Sequence, residues 1–181
     1  TIALVSKTPT FQKFSKTSNY VVENNLPKAI PALKEEIKKG NRMAEPLLAL
    51  FELSGYGDAP VEQKQKAAKI LEKAVYQGNY VGFDTLVMAN LIDDVLKPNV
   101  NLAKTLVEIR KSDKTEKMSE KEQENLYLLE GLIDYKSGNK ARGLDKIKKI
   151  AEKGNVKAMM NIYMLYMEEG KLEEAEKYLN L

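Results

Sequence analysis

The chain contains no cysteine and no histidine. Without cysteine there is no disulfide framework, no thiol nucleophile and no thiolate metal site. Without histidine the most versatile general base and the commonest metal ligand are gone as well. Together the two absences exclude zinc sites built on these ligands and the Ser-His and Cys-His nucleophile systems. Proline and glycine are scarce, 6 and 10 in 181 residues, and a sequence otherwise rich in Lys, Glu, Leu and Ala then favours helix throughout. No apolar run approaches the ~18–20 residues needed to span a bilayer. A strong excess of one charge is missing too: 29 basic residues against 26 acidic leave a net +3, which does not signal a dedicated nucleic-acid binder.

What is present is a soluble, ordered composition, 43% hydrophobic and 30% charged, in a chain long enough for one domain with a continuous core. A Gly-Asn pair recurs at Gly40-Asn41, Gly78-Asn79, Gly138-Asn139 and Gly154-Asn155. Gly40 and Gly78 are 38 residues apart, and Gly78 and Gly154 are 76 apart, twice that. A fixed period near 38 is the signature of stacked helical hairpins, which serve as quasi-one-dimensional scaffolds for binding other proteins.

Residues 1–25 stand outside this pattern. They are β-branched and polar with Phe11 and Phe14 as isolated anchors, and read as an arm or cap with a short helix near 11–24. Residues 26–181 form the repeat domain. Ala29, Ile30, Leu33 and Ile37 share one helical face that Gly40 closes. After three of the Gly-Asn pairs a small residue follows at one offset, Ala44, Gly82 and Ala158, where a neighbouring helix can approach closely. Apolar positions then repeat four and seven residues on: Leu48 and Phe51, Leu86 and Ala89, Ile162 and Leu165. The first unit's second helix carries the stripe Ala67, Ile70, Leu71, Ala74, Val75. The second unit runs its first helix to about Leu96, turns at Lys97-Pro98-Asn99, and continues from Val100 to Lys111. A charged loop follows, with Ser119 and Glu122 spaced as a capping box. The third unit pairs about 119–137 with 140–153, and the fourth pairs 156–169 with a Glu/Lys-rich helix at 171–180 that suits a polar cap.

Residues 44–79 carry Ala44, Leu48, the turn Gly55-Tyr56-Gly57, Val61, a second helix starting at Lys66-Ala67-Ala68, Leu71, Lys73-Ala74 and Gly78-Asn79. This unit resembles a Sel1-like repeat, a tetratricopeptide relative with a longer, glycine-bearing turn. The last unit is closer to an ordinary tetratricopeptide repeat, through Tyr163, Tyr166, Gly170, Ala175 and Leu179. The resemblance covers roughly 26–181. It implies an all-α, right-handed α-solenoid of about four antiparallel helix pairs, with the first helix of each pair lining a concave side. It further implies a non-enzymatic protein–protein interaction scaffold needing no cofactor or metal. Within the family are bacterial adaptors and immunity proteins that neutralise secreted effector enzymes, so the expected partner is a protein, an effector enzyme being one case. The alternative is a periplasmic sensing domain whose groove holds a peptide or peptidoglycan fragment. Thr1 in place of an initiator Met suits a periplasmic protein if a signal peptide has been removed, and a cytoplasmic one otherwise. The cysteine-rich branch of the family is excluded.

Placed on the tetratricopeptide pattern, Met160, Met164 and Met167 fall on the groove side of the last unit's first helix. Equivalent offsets in the second unit give Asp84, Met88 and Leu91. Methionine is flexible and polarizable and adapts to a partner segment; the competing reading is ordinary packing, or cover by the N-terminal arm. Tyr80, Tyr127 and Asp134 are weaker candidates. Seven basic residues between Lys140 and Lys157 read as a solvated helix face, with no interleaved aromatic for base stacking. Gly131 to Lys140 has six residues between its glycines and Asn139 before the lysine, which is not a phosphate loop. Asp113 to Glu124 lacks the central glycine of a calcium loop, and adjacent carboxylates such as Asp93-Asp94 diverge on a helix.

Overall fold

In the computed structural model the described residues are 26–56, 58–92 and 96–179, so the arm at 1–25 and the Asp93-Asp94 pair lie outside them. Among these residues the chain is all-α, with nine α-helices, one 3-10 turn and no strand. It forms two compact units, Thr1–Lys97 and Pro98–Leu181.

The first unit contains α1 (Leu26–Lys38), the 3-10 turn Arg42–Ala44, α2 (Glu45–Leu53), α3 (Val61–Tyr76) and α4 (Phe83–Ala89). Helix α2 is buried on every side from Leu47 to Leu53, as expected for a helix apolar nearly all round, Glu52 being the exception, and packs chiefly on α3. The stripe of α3 is buried at Ala67, Leu71, Ala74 and Val75, with Ala68 beside it. That helix starts at Val61, five residues before the expected Lys66, because Pro60 supplies an extended N-cap (ψ 160°) ahead of a residue with no reason to leave the helix. Helix α4 ends at Ala89 and not near Leu96. Asn90 closes it: its side-chain Nδ2 donates to the Leu86 carbonyl at 3.0 Å, competing with continuation of the backbone ladder.

The second unit contains α5 (Val100–Ser112), α6 (Glu120–Lys136), α7 (Lys140–Glu152), α8 (Val156–Glu168) and α9 (Leu172–Lys177). Here the expected boundaries hold closely. The capping box at the start of α6 is complete: Glu122 N–H donates to Ser119 Oγ (3.2 Å) and Ser119 N–H to Glu122 Oε2 (2.7 Å). Each helix packs on the next, α5 on α6, α6 on α7, α7 on α8 and α8 on α9.

The Gly-Asn pairs are helix stops. At Gly78, φ is +78°; its N–H donates to Val75 O at 3.0 Å and the Asn79 N–H to Ala74 O at 2.8 Å. Gly138-Asn139 repeats both bonds, to Tyr135 and Asp134. This is the Schellman closure, in which the left-handed residue satisfies carbonyls the helix leaves open. The small residues do what their offset suggests. Ala44 and Ala158 are fully buried, and a Cβ at Gly82 would stand 3.1 Å from both Leu71 methyls.

One close approach of two helices has no sequence signature. Gly131 lies inside α6 and Gly143 inside α7, and the two backbones meet there. A Cβ on Gly143 would come within 2.5 Å of the Gly131 carbonyl oxygen. Gly131, read as one end of a phosphate-loop-like stretch, is a packing glycine.

Candidate functional site

Helix α8 is preceded by Asn155, whose Oδ1 accepts from Ala158 N–H at 3.0 Å, an N-cap that fixes the helix start at Val156. Its inner face, Ala158, Ile162, Leu165 and Tyr166, is buried. Its outer face is also apolar. Val156, Met160, Met164 and Met167 are 65, 59, 50 and 40% exposed, and spacings of four, four and three place them in one stripe. A helix apolar on both faces normally has both covered, and a contiguous exposed apolar patch marks an interaction surface.

Asp84 and Met88 are half-buried on α4. Leu91 is not a surface residue: α4 stops two residues before it, the chain turns, and Leu91 packs inside the first unit at 4% exposure. The expected set therefore divides into the exposed α8 methionines in the second unit, and Asp84 and Met88 in the first. Val156, the most exposed apolar residue of the stripe, was missed, although its position one turn before Met160 is visible in the sequence.

The weaker candidates are engaged within their own units. Asp134 sits between two cations of α7, Lys146 Nζ at 2.8 Å and Arg142 Nε at 3.3 Å. Glu130, one turn earlier, meets Lys111 Nζ at 3.3 Å. The Lys146 ammonium also lies 5.8 Å from the Tyr127 ring centroid. Tyr80 stacks edge-on against Phe83, 6.1 Å between centroids. The basic run is largely spent the same way: Lys149 pairs with Asp145 at 3.0 Å, and Lys148 lies over the Tyr166 ring at 5.4 Å.

At the far end of α8 a polar clasp joins it to α6. The Tyr135 hydroxyl donates to Glu169, and Glu169 also meets Lys171 at 2.9 Å and Lys140 at 4.0 Å. Burial first, and then the neighbouring Glu169 carboxylate, push the Tyr135 phenol up to about 12. The hydrogen bond from Tyr135, followed by Lys171, holds Glu169 below the ordinary glutamate value. The unfolded tyrosine ionises near pH 10. The clasp's tyrosine contribution is therefore complete below about pH 10 and lost as pH rises towards about 12. The Glu169 contribution is complete above its unfolded value and lost as pH falls through the lowered folded one. Tyr135→Phe should cost about 1.5 kcal/mol at neutral pH and flatten the fall in urea midpoint between about pH 10 and 12. Equal slopes in the two proteins would contradict this assignment.

Glu52, on α2, is a buried acid whose Oε2 has no hydrogen-bond partner among the described residues. It does not gather ligands, since no group of three acidic residues able to hold a metal ion occurs among them. No helix among them is long and apolar enough to cross a membrane. The chemistry presented outward by α8 is thus adaptable apolar contact. Fold and site together define an all-helical, repeat-like protein with an apolar helix face turned to solvent. No protein-family model matches the chain, and no curated protein or solved structure does.

Proposed function

We propose that the chain is a non-enzymatic protein–protein interaction scaffold of the Sel1-like type, a right-handed α-solenoid of about four antiparallel helix pairs. Its docking surface is the outer face of α8, with Met160, Met164 and Met167 as the adaptable contacts. The observation that carries this reading is the stripe itself: methionines standing 40 to 59% exposed on a helix whose other face is core. Desolvating such side chains in a partner's cleft is favourable by about 25 cal/mol per Å², and thioethers conform to varied shapes. An adaptor, or an immunity protein that fills an effector enzyme's cleft, is the class of role this surface suits.

The test is capture of partners by the immobilised chain, read by mass spectrometry, against a Met160→Glu/Met164→Glu variant. Both positions are at least half exposed, so the variant should keep its helical circular dichroism. Loss of a stoichiometric partner with the fold intact is the expected result. Capture undiminished by a folded variant would remove this face from consideration.

A further inference from the structure

The stripe on α8 is symmetric about its own middle to within one residue. Met160 and Met164 flank position 162 at equal distances, and to within one residue Lys157 stands as far before it as Glu168 stands after it, and Val156 as far before it as Met167 after it. A surface that contacts its own copy about a two-fold axis needs this property, because each contact between residues i and j is repeated as j and i. Two α8 helices laid antiparallel along their stripes would place Met160 against the partner's Met164. Lys157 of each copy would then meet the partner's Glu168.

The charges give an independent reason. Anions favour a helix N-terminus and cations its C-terminus. Among the described α-helices, α8 alone has neither an acidic residue in its first turn nor a basic residue in its last. It has the reverse, with Lys157 at its start and Glu168 at its end. Both are exposed, and neither has an ion-pair partner among the described residues. Each charge is unfavourable beside its own helix end and favourable beside the opposite end of an antiparallel copy.

We infer that the outer face of α8 binds a second copy of this chain, forming a two-fold antiparallel helix pair. The inference rests on α8 as a docking surface and gives that surface a specific occupant. One helix face is small against the ~800 Å² per partner of a standard interface, so the dimer should be weak, with Kd on the order of 100 µM.

Sedimentation equilibrium of the full chain, from about ten-fold below to ten-fold above that Kd, tests it. Wild type should fit a monomer–dimer equilibrium. Lys157→Glu and Glu168→Lys should each weaken dimerisation about ten-fold or more by opposing like charges at both symmetric contacts. Each should leave the monomer's thermal midpoint unchanged or raised, because each corrects the charge for its own helix. The Lys157→Glu/Glu168→Lys exchange should restore association to near the wild-type value, and Met160→Glu should abolish it. A monomeric wild type, or single variants that weaken association without rescue by the exchange, would overturn the inference. The docking reading fails on a different result, retention of a heterologous partner by the Met160→Glu/Met164→Glu variant.

Discussion

Gly143→Ala is expected to destabilise the second unit by about 3 kcal/mol, the upper end of what overpacking ordinarily costs. The added methyl would lie 2.5 Å from the Gly131 carbonyl oxygen, 2.6 Å from the Tyr135 backbone nitrogen and 2.9 Å from the Tyr135 Cβ. None of these atoms can move by a side-chain rotation, so α6 and α7 have to separate. Separation loosens the packing around Ile147 and Ile150, which are buried on α7, and strains the ion pairs from Lys146 and Arg142 to Asp134. Alanine is the better helix former by about 1 kcal/mol, and the predicted loss is net of that gain. Gly131→Ala should cost less, since its nearest clash, 2.8 Å, is with a side-chain carbon of Ile147. Gly138→Ala meets open space and bears only the strain of φ +98°, about 1 kcal/mol. Urea unfolding should rank the three in that order, and a neutral Gly143→Ala would show that the helices do not cross this closely.

Phe51→Ala should cost the first unit about 3–5 kcal/mol. Phe51 is 1% exposed, on a helix with no solvent-facing side from Leu47 to Leu53, and its ring meets Tyr56 edge to face at 6.3 Å between centroids. Removing it leaves a cavity in a unit whose largest core side chains, Leu71, Val75 and Leu86 among them, are themselves fully buried. The readout is thermal or urea unfolding, with a fall in midpoint of roughly 10 °C expected. A shift under a quarter of that would contradict the placement of α2 at the centre of its unit.

Sequence and structure agree where the signal is local. A glycine before asparagine at a helix end, a serine three residues before glutamate, or a small residue after a turn each act through neighbouring backbone groups. The Schellman closures, the capping box of α6 and the burial of Ala44 and Ala158 were therefore legible. The start of α3 was less so, because Pro60 acts by a backbone conformation that the repeat pattern does not encode. Leu91 was misplaced by carrying helical spacing past the point where Asn90 ends α4.

The Gly131–Gly143 contact and the network of Glu130, Asp134, Lys111, Arg142 and Lys146 join separate helices. No spacing within one helix could announce them. The basic run reads as a solvated face and Lys140, Arg142, Lys149, Lys153 and Lys157 are exposed, whereas Lys146 and Lys148 turn to partners on α6 and α8 that spacing within α7 does not show. The α8 stripe shows the reverse limit. Periodicity placed Met160, Met164 and Met167 together but could not say whether a neighbouring helix covered them. Their exposure is what the structure adds.

The most direct test of α8 as the docking surface uses the seven methionines as reporters, through methyl carbon-13 NMR of the labelled chain. Spectra would be recorded from dilute to concentrated solution and again with the captured partner. The account predicts shifts or broadening at Met160, Met164 and Met167, with Met43 and Met118 unchanged. Perturbation at Met43 or Met118 with the α8 methyls silent would contradict it.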